Sequence, residues 1–161
     1  MSQIIEFYNG RKSDCPYSIN DIALGFMDDD WEQCHDFIQW IFPNKEPSQF
    51  NDKAPILTEE DIKSFKECEL LRFNVALLTN RFMFFLGYRY LFSGRYSIFN
   101  RERIRRRVIE YNHNQLRITR LIKFLNVIEM DDLAAMVFKA VIVQPGINET
   151  TIKFWSEAYN G

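Results

Sequence analysis

Apolar positions recur along this chain at the 3.6-residue spacing of amphipathic helices, and residues suited to capping stand just ahead of most of the runs. Ser18 and Asp21 form a Ser-x-x-Asp box between Tyr17 and Ile22, and Ile19, Ile22, Ala23 and Phe26 follow at helical spacing, predicting a short first helix. Asp28, Asp29 and Asp30 put negative charge where a second helix would begin, and Pro43 marks its end. On a helical wheel its buried arc holds Trp31, Cys34, Phe37, Ile38, Ile41 and Phe42, with His35 and Gln39 on the shoulder. Residues 44–57, with Pro47, Asn51, Asp52 and Pro55, read as an irregular connection. Thr58 with Asp61, stapled by Leu57 and Ile62, gives the strongest start signal in the chain. The third helix that it opens is expected to run through the aromatic-rich residues 81–92 to Ser93 and Gly94, with Gly87 as a kink or close-packing point.

Asn100 caps a fourth expected helix carrying Ile104, Val108 and Tyr111, broken by the Tyr-Asn-His-Asn sequence at 111–114. A fifth, capped by Asn114, buries Ile118, Leu121, Ile122, Leu125 and Ile128. Asp131 caps a sixth with Leu133, Met136, Val137, Ala140 and Val141 on one face, and Pro145 and Gly146 end it. Asn148 and Thr151, stapled by Ile147 and Ile152, start a terminal helix that buries Trp155 and Tyr159. Residues 4–8 are the one β candidate, and no internal repeat stands out. The expectation is an all-α chain, residues 1–161 forming a single compact domain of about six or seven helices.

Composition narrows the class. Of 161 residues, 47% are hydrophobic and only 6 are Gly and 5 Pro, which excludes disordered, collagenous and low-complexity chains. Cys15, Cys34 and Cys68 are odd in number, with no Cys-x-x-Cys pair, which predicts reduced thiols, no disulfide and an intracellular, cytoplasmic setting with the nucleus as the alternative. No secretory signal opens the chain, and the most apolar run, residues 70–92, is interrupted by Arg72, Asn74, Asn80, Arg81 and Arg89, so no membrane association is expected. Charge is divided: residues 1–70 hold 6 basic and 15 acidic groups, residues 71–161 hold 14 and 7. A near-neutral total of −2 therefore does not exclude an anionic partner.

Three stretches stand out as motifs: His-Asp-Phe-Ile-Gln-Trp-Ile-Phe-Pro at 35–43, Glu-Pro-Ser-Gln-Phe-Asn-Asp-Lys-Ala-Pro-Ile-Leu-Thr-Glu-Glu-Asp-Ile at 46–62, and His-Asn-Gln-Leu-Arg-Ile-Thr-Arg-Leu-Ile-Lys-Phe-Leu at 113–125. In order and spacing they resemble the N-terminal domain of the opioid growth factor receptor family over a core of about residues 30–125. The resemblance implies a helical, soluble, binding-type domain. The vertebrate namesake is described as a receptor for an enkephalin peptide with a nuclear or perinuclear location.

The residues themselves suggest where binding would occur. His113, Arg117, Arg120 and Phe124 fall within about 60° of one another on a helix, away from the aliphatic arc. Two guanidiniums and an imidazole on one stripe suit a phosphate, a carboxylate or the end of a peptide. With Asn114 and with His35, Asp36 and Gln39 of the first motif they make a candidate ligand site for a protein, peptide or anionic ligand. The competing reading is architectural: Arg117 or Arg120 ties Asp36 to its own helix by an ion pair. A second candidate is nucleic acid or phosphate bound through residues 101–123, which carry Arg101, Arg103, Arg105, Arg106, Arg107 and Lys123. A third is an enzyme using His35 and His113 as acid and base, although residues adjacent in a helix point about 100° apart, so Asp36 cannot orient His35. No zinc-type spacing, nucleophile elbow or phosphate loop occurs, so no metal, no cofactor and no covalent nucleophile are expected.

Overall fold

The computed structural model describes all 161 residues. The chain is 61% helical and carries one two-stranded hairpin, so it is mostly, not strictly, α, and its helices are shorter and more numerous than the expected six or seven. It divides into two compact units, Met1–Leu78 and Thr79–Gly161.

In the first unit, α1 (Gln3–Tyr8) occupies the segment proposed as a strand. Ser2 caps it by accepting from the Ile5 N–H at 3.2 Å, and Ile4, Ile5, Phe7 and Tyr8 are all buried. That burial follows a helix period rather than the alternation of a strand. The Ser18–Asp21 box forms with both bonds near 3 Å and leads into one π-helical turn, Asp21–Gly25. The expected single second helix is broken in two, α2 (Asp28–Gln33) and α3 (Ile38–Ile41), because Cys34 is extended. The break lets Trp31 and Phe37 meet edge to face at 5.2 Å, with Phe26 against both. Edge-to-face pairs add about 0.5–1.5 kcal/mol each beyond area burial, and a continuous helix would give up that geometry.

Residues 44–57 are irregular, closed by the Leu57 N–H donating to the Asn44 carbonyl at 2.9 Å. Helix α4 (Glu59–Glu67) then begins on the capping box read from sequence: the Thr58 hydroxyl accepts from the Asp61 N–H at 3.2 Å and Asp61 accepts from the Thr58 N–H at 3.0 Å. Buried Asp61 also accepts from the Ser2 hydroxyl, so one carboxylate serves the caps of α1 and α4. The expected long third helix is interrupted at extended Cys68 and resumes as α5 (Glu69–Leu86).

In the second unit the helix does not continue to Gly94. Gly87 has φ +118°, outside the helical region, and the chain turns into β1 (Tyr88–Leu91) and β2 (Arg95–Ile98). They pair antiparallel with Tyr88 opposite Ile98 and Leu91 opposite Arg95, across a turn closed by the Gly94 N–H on the Leu91 carbonyl. Asn100 caps α6 (Arg101–Ile104), accepting from the Arg103 N–H at 3.1 Å, and a π-helical turn, Arg105–Ile109, follows. Ile104 and Val108 are buried, but Tyr111, expected beside them, is 82% exposed beyond the helix end. Helix α7 (His113–Val127) is capped by Asn112 rather than Asn114, the Asn112 side chain accepting from the Asn114 N–H at 2.8 Å. Helices α8 (Asp131–Ile142) and α9 (Glu149–Asn160) lie where the pattern put them, with Met130 rather than Asp131 in the cap position of α8 and Asn148 capping α9. Helices α7, α8 and α9 pack on one another around Ile118, Leu121, Val137 and Trp155.

Burial pushes the phenols of Tyr8, Tyr88 and Tyr96 above the ordinary tyrosine range. The native state then keeps protons that the unfolded chain releases near pH 10, so stability is intact below that pH and falls above it. Thermal melts followed by circular dichroism are expected to shift down between about pH 9 and pH 11. An unchanged midpoint across that range would contradict the burial of these phenols.

Candidate functional site

Helix α7 carries most of the residues singled out by sequence. Its buried arc is wider than the aliphatic stripe and takes in Asn114, Gln115, Arg117 and Phe124. The His113–Arg117–Arg120 stripe therefore lies along the edge of the buried face: Arg117 is only 5% exposed, while His113 and Arg120 are half-buried. The Arg117 guanidinium donates to the Asn114 side-chain carbonyl at 3.2 Å. Only Leu116 and Lys123 on this helix are exposed.

The first motif is arranged differently from the wheel. His35 and Asp36 are exposed in the break between α2 and α3, whereas Gln39, the second residue of α3, is buried. The helical rows pairing His35 with Gln39 and Asp36 with Trp40 do not exist, because a row needs a continuous helix. Asp36 acts on its surroundings through charge: burial foremost, with a contribution from Asp36, raises the Cys15 thiol to about 11, against a lowering by its bond to the Tyr17 backbone. Tyr17 donates to the Cys34 sulfur at 3.5 Å, and that bond is the main reason its phenol is also pushed up.

Residues 101–123 do not present one cationic face. Arg105 and Arg106 both engage Glu102, at 2.6 and 2.9 Å, and Arg105 also pairs with Glu110. Arg107 lies over the Phe85 ring at 4.1 Å and donates to the Phe85 carbonyl at 2.5 Å. Arg103 lies over Phe84 and Phe99, while Arg101 and Lys123 are exposed.

Sequence reasoning missed Gln115. It is buried, donates from Nε2 to the Val108 and Ile109 carbonyls at 2.8 and 3.3 Å, and accepts the Thr151 hydroxyl at 2.9 Å. Its own carbonyl accepts from the Trp155 indole at 3.1 Å. Above it opens a cleft of about 290 Å³ between α7 and the start of α9. Tyr111, Leu116 (53% exposed) and Phe154 (51%) supply apolar walls, and Thr119, Asn148 and Thr150 supply hydroxyl and amide groups. Neither histidine lines it. No group of three or more His, Cys, Asp or Glu side chains is gathered to hold a metal, and no helix is long and apolar enough to cross a membrane.

The model of the conserved region of the opioid growth factor receptor matches residues 2–158. The chain belongs to the opioid growth factor receptor family. Among its relatives are the opioid growth factor receptor of Rattus norvegicus, 28% identical over 140 residues, and that of Homo sapiens, 29% identical over 140 residues. Each alignment covers 84% of this chain but only 23% and 20% of the respective relative, so the chain spans about a fifth of their length. No solved structure matches. The conserved region extends well beyond the core of residues 30–125 that carries the motifs, taking in α1 and most of α9. Within this opioid growth factor receptor region, the second motif includes the capping box of α4 and the third spans most of α7, including buried Gln115 and Arg117.

Proposed function

We propose that residues 1–161 act as one binding domain for a polypeptide ligand, and that a peptide segment seats in the cleft between α7 and α9. The observation that carries this is the cleft's construction: three exposed apolar walls, Tyr111, Leu116 and Phe154, beside unburied hydroxyl and amide groups. A volume of about 290 Å³ takes one or two side chains, not a folded surface, and the polar groups can meet a peptide backbone. The relatives are named opioid growth factor receptors, which points to a peptide as the class of ligand. His113 and Arg120, half-exposed at the edge of α7, receive an acidic residue of the ligand, while Arg117 holds that edge in place. Three cysteines outside any disulfide suit a reducing compartment, cytoplasm or nucleus.

Panning a displayed peptide library against the chain tests this. Enriched sequences are expected to share an apolar or aromatic residue. Leu116→Asp and Phe154→Asp should each weaken them about tenfold or more, the effect of losing a central anchor. Arg120→Ala should weaken acidic peptides selectively, and Lys63→Ala should change nothing. Enriched peptides that bind both cleft variants as well as the parent chain would refute the assignment.

A further inference from the structure

Between Arg81 and Arg107 the chain carries eight arginines and a single acid, Glu102, which Arg105 and Arg106 already engage. Other arginines of this segment are held by rings. Phe84 and Phe99 stack with centroids 4.6 Å apart and planes 17° from parallel. Arg103 lies over both rings at 5.8 and 5.6 Å, Arg81 over Phe84 at 6.0 Å, and Arg89 over Phe99 at 5.5 Å. Arg103 also donates to the Phe84 carbonyl at 3.3 Å. The ring face beneath Arg89 orients that guanidinium without neutralising it, so its charge and in-plane N–H edge remain suited to a phosphate.

The hairpin extends this surface. Arg89 pairs with Ser97 and Arg95 with Leu91, which puts both arginines on the same face of the hairpin, and both are exposed, as is Arg101. None of these three makes an ion pair. At the turn Phe92 is fully exposed, with Tyr90 edge-on to it at 6.2 Å. Phe92 lies on the Tyr90 side of the hairpin, opposite the face of Arg89 and Arg95. A ligand that meets both must therefore pass over the turn, and a flexible single strand can lay its phosphates on the arginines and bring an unpaired base round to the ring. A duplex keeps its bases stacked internally and would leave Phe92 unused.

We propose that the hairpin and the start of α6 bind single-stranded nucleic acid, with Arg89, Arg95 and Arg101 on phosphates and Phe92 stacked on a base. This surface shares no residue with the α7–α9 cleft, so its failure and the failure of the peptide reading are separate results.

The test is fluorescence anisotropy with a labelled mixed-sequence strand of about 20 nucleotides, long enough for any single site of this kind. It is offered as DNA, as RNA and as duplex, from about 50 to 200 mM salt. Single strands should bind more tightly than duplex and weaken steeply with salt. The DNA and RNA arms both support the proposal and identify which sugar is preferred. The double variant Arg89→Ala, Arg95→Ala should weaken binding about tenfold at the low-salt end. It should also flatten the log–log salt slope by about 1.4, the counterions of two phosphate contacts. Phe92→Ala should weaken binding about fivefold or more with the slope unchanged, and Lys139→Ala should have no effect. All of these positions are exposed, and circular dichroism verifies the fold of each variant. The proposal is overturned by absence of binding at low salt or by duplex binding as tight as single strand. It is equally overturned by indifference to either arginine or Phe92 substitution, or by polyglutamate displacing the strand as well as unlabelled strand does; the last result would assign the surface to an acidic protein.

Discussion

Replacing Gln115 with leucine is expected to destabilise the chain by about 3 kcal/mol, a large share of the roughly 5–15 kcal/mol that holds a typical domain. The side chains are similar in size, so the loss comes from what is left behind. The Thr151 hydroxyl loses its acceptor, and the Val108 and Ile109 carbonyls lose their shared donor. A buried group stripped of its partner costs about 1–3 kcal/mol. The Trp155 bond goes to the backbone carbonyl and survives the substitution. Thr151→Val removes one member of the network and should cost about 1–2 kcal/mol. The double variant should cost less than the two single losses together, because the hydroxyl that Gln115→Leu strands is gone. Urea denaturation of the four proteins measures the coupling; strict additivity, or a loss below about 1 kcal/mol for Gln115→Leu, would show that the network contributes little.

Gly87→Ala is expected to be at least as damaging, at about 3–5 kcal/mol, from two independent costs. The residue has φ +118°, which side chains other than hydrogen rarely adopt, and an added Cβ would stand 2.6 Å from the Asn100 carbonyl oxygen and 3.1 Å from Arg103 and Ile104. The oxygen cannot easily retreat, because the Phe99 and Asn100 N–H groups both donate to the Gly87 carbonyl and Asn100 caps α6. Gly94 separates the two costs. It also has a positive φ, +82°, but nothing lies within 4 Å of its would-be Cβ, so Gly94→Ala should cost only about 1 kcal/mol, the conformational part. Equal losses at both sites, read by thermal and urea unfolding, would mean that the crowding at Gly87 is relieved elsewhere.

Local chemistry was legible where a signal is confined to a few residues. The Thr58–Asp61 box, the Asn100 and Asn148 caps and the motif that became α7 could be read directly, because a cap needs only a side chain and an N–H two or three residues away. What was not legible depends on partners distant in the sequence. The apolar spacing of residues 31–42 fits a continuous helix as well as the broken one, and the choice falls to ring contacts among Phe26, Trp31 and Phe37. Residues 88–98 alternate weakly, and Gly87 could equally be a helix kink until its φ is known. On α7 the wheel separated aliphatic from polar positions correctly but equated polar with outward-facing. Gln115 and Arg117 are polar and buried, and Gln115 is satisfied by partners 6–7 and 36 residues away, which no periodicity reveals.

The bond from the Ser2 hydroxyl to Asp61 also bears on the order of events during synthesis. Helix α1 has six residues, too few to persist alone in water. Its cap finds its second partner 59 residues later in the chain. At ordinary ribosomal rates that partner arrives about 3 to 12 s after Ser2 has been made. Through that interval Ile4, Ile5, Phe7 and Tyr8, all buried in the finished protein, have no α4 to settle against. The apolar face of α1 therefore stays incompletely covered until α4 has been made.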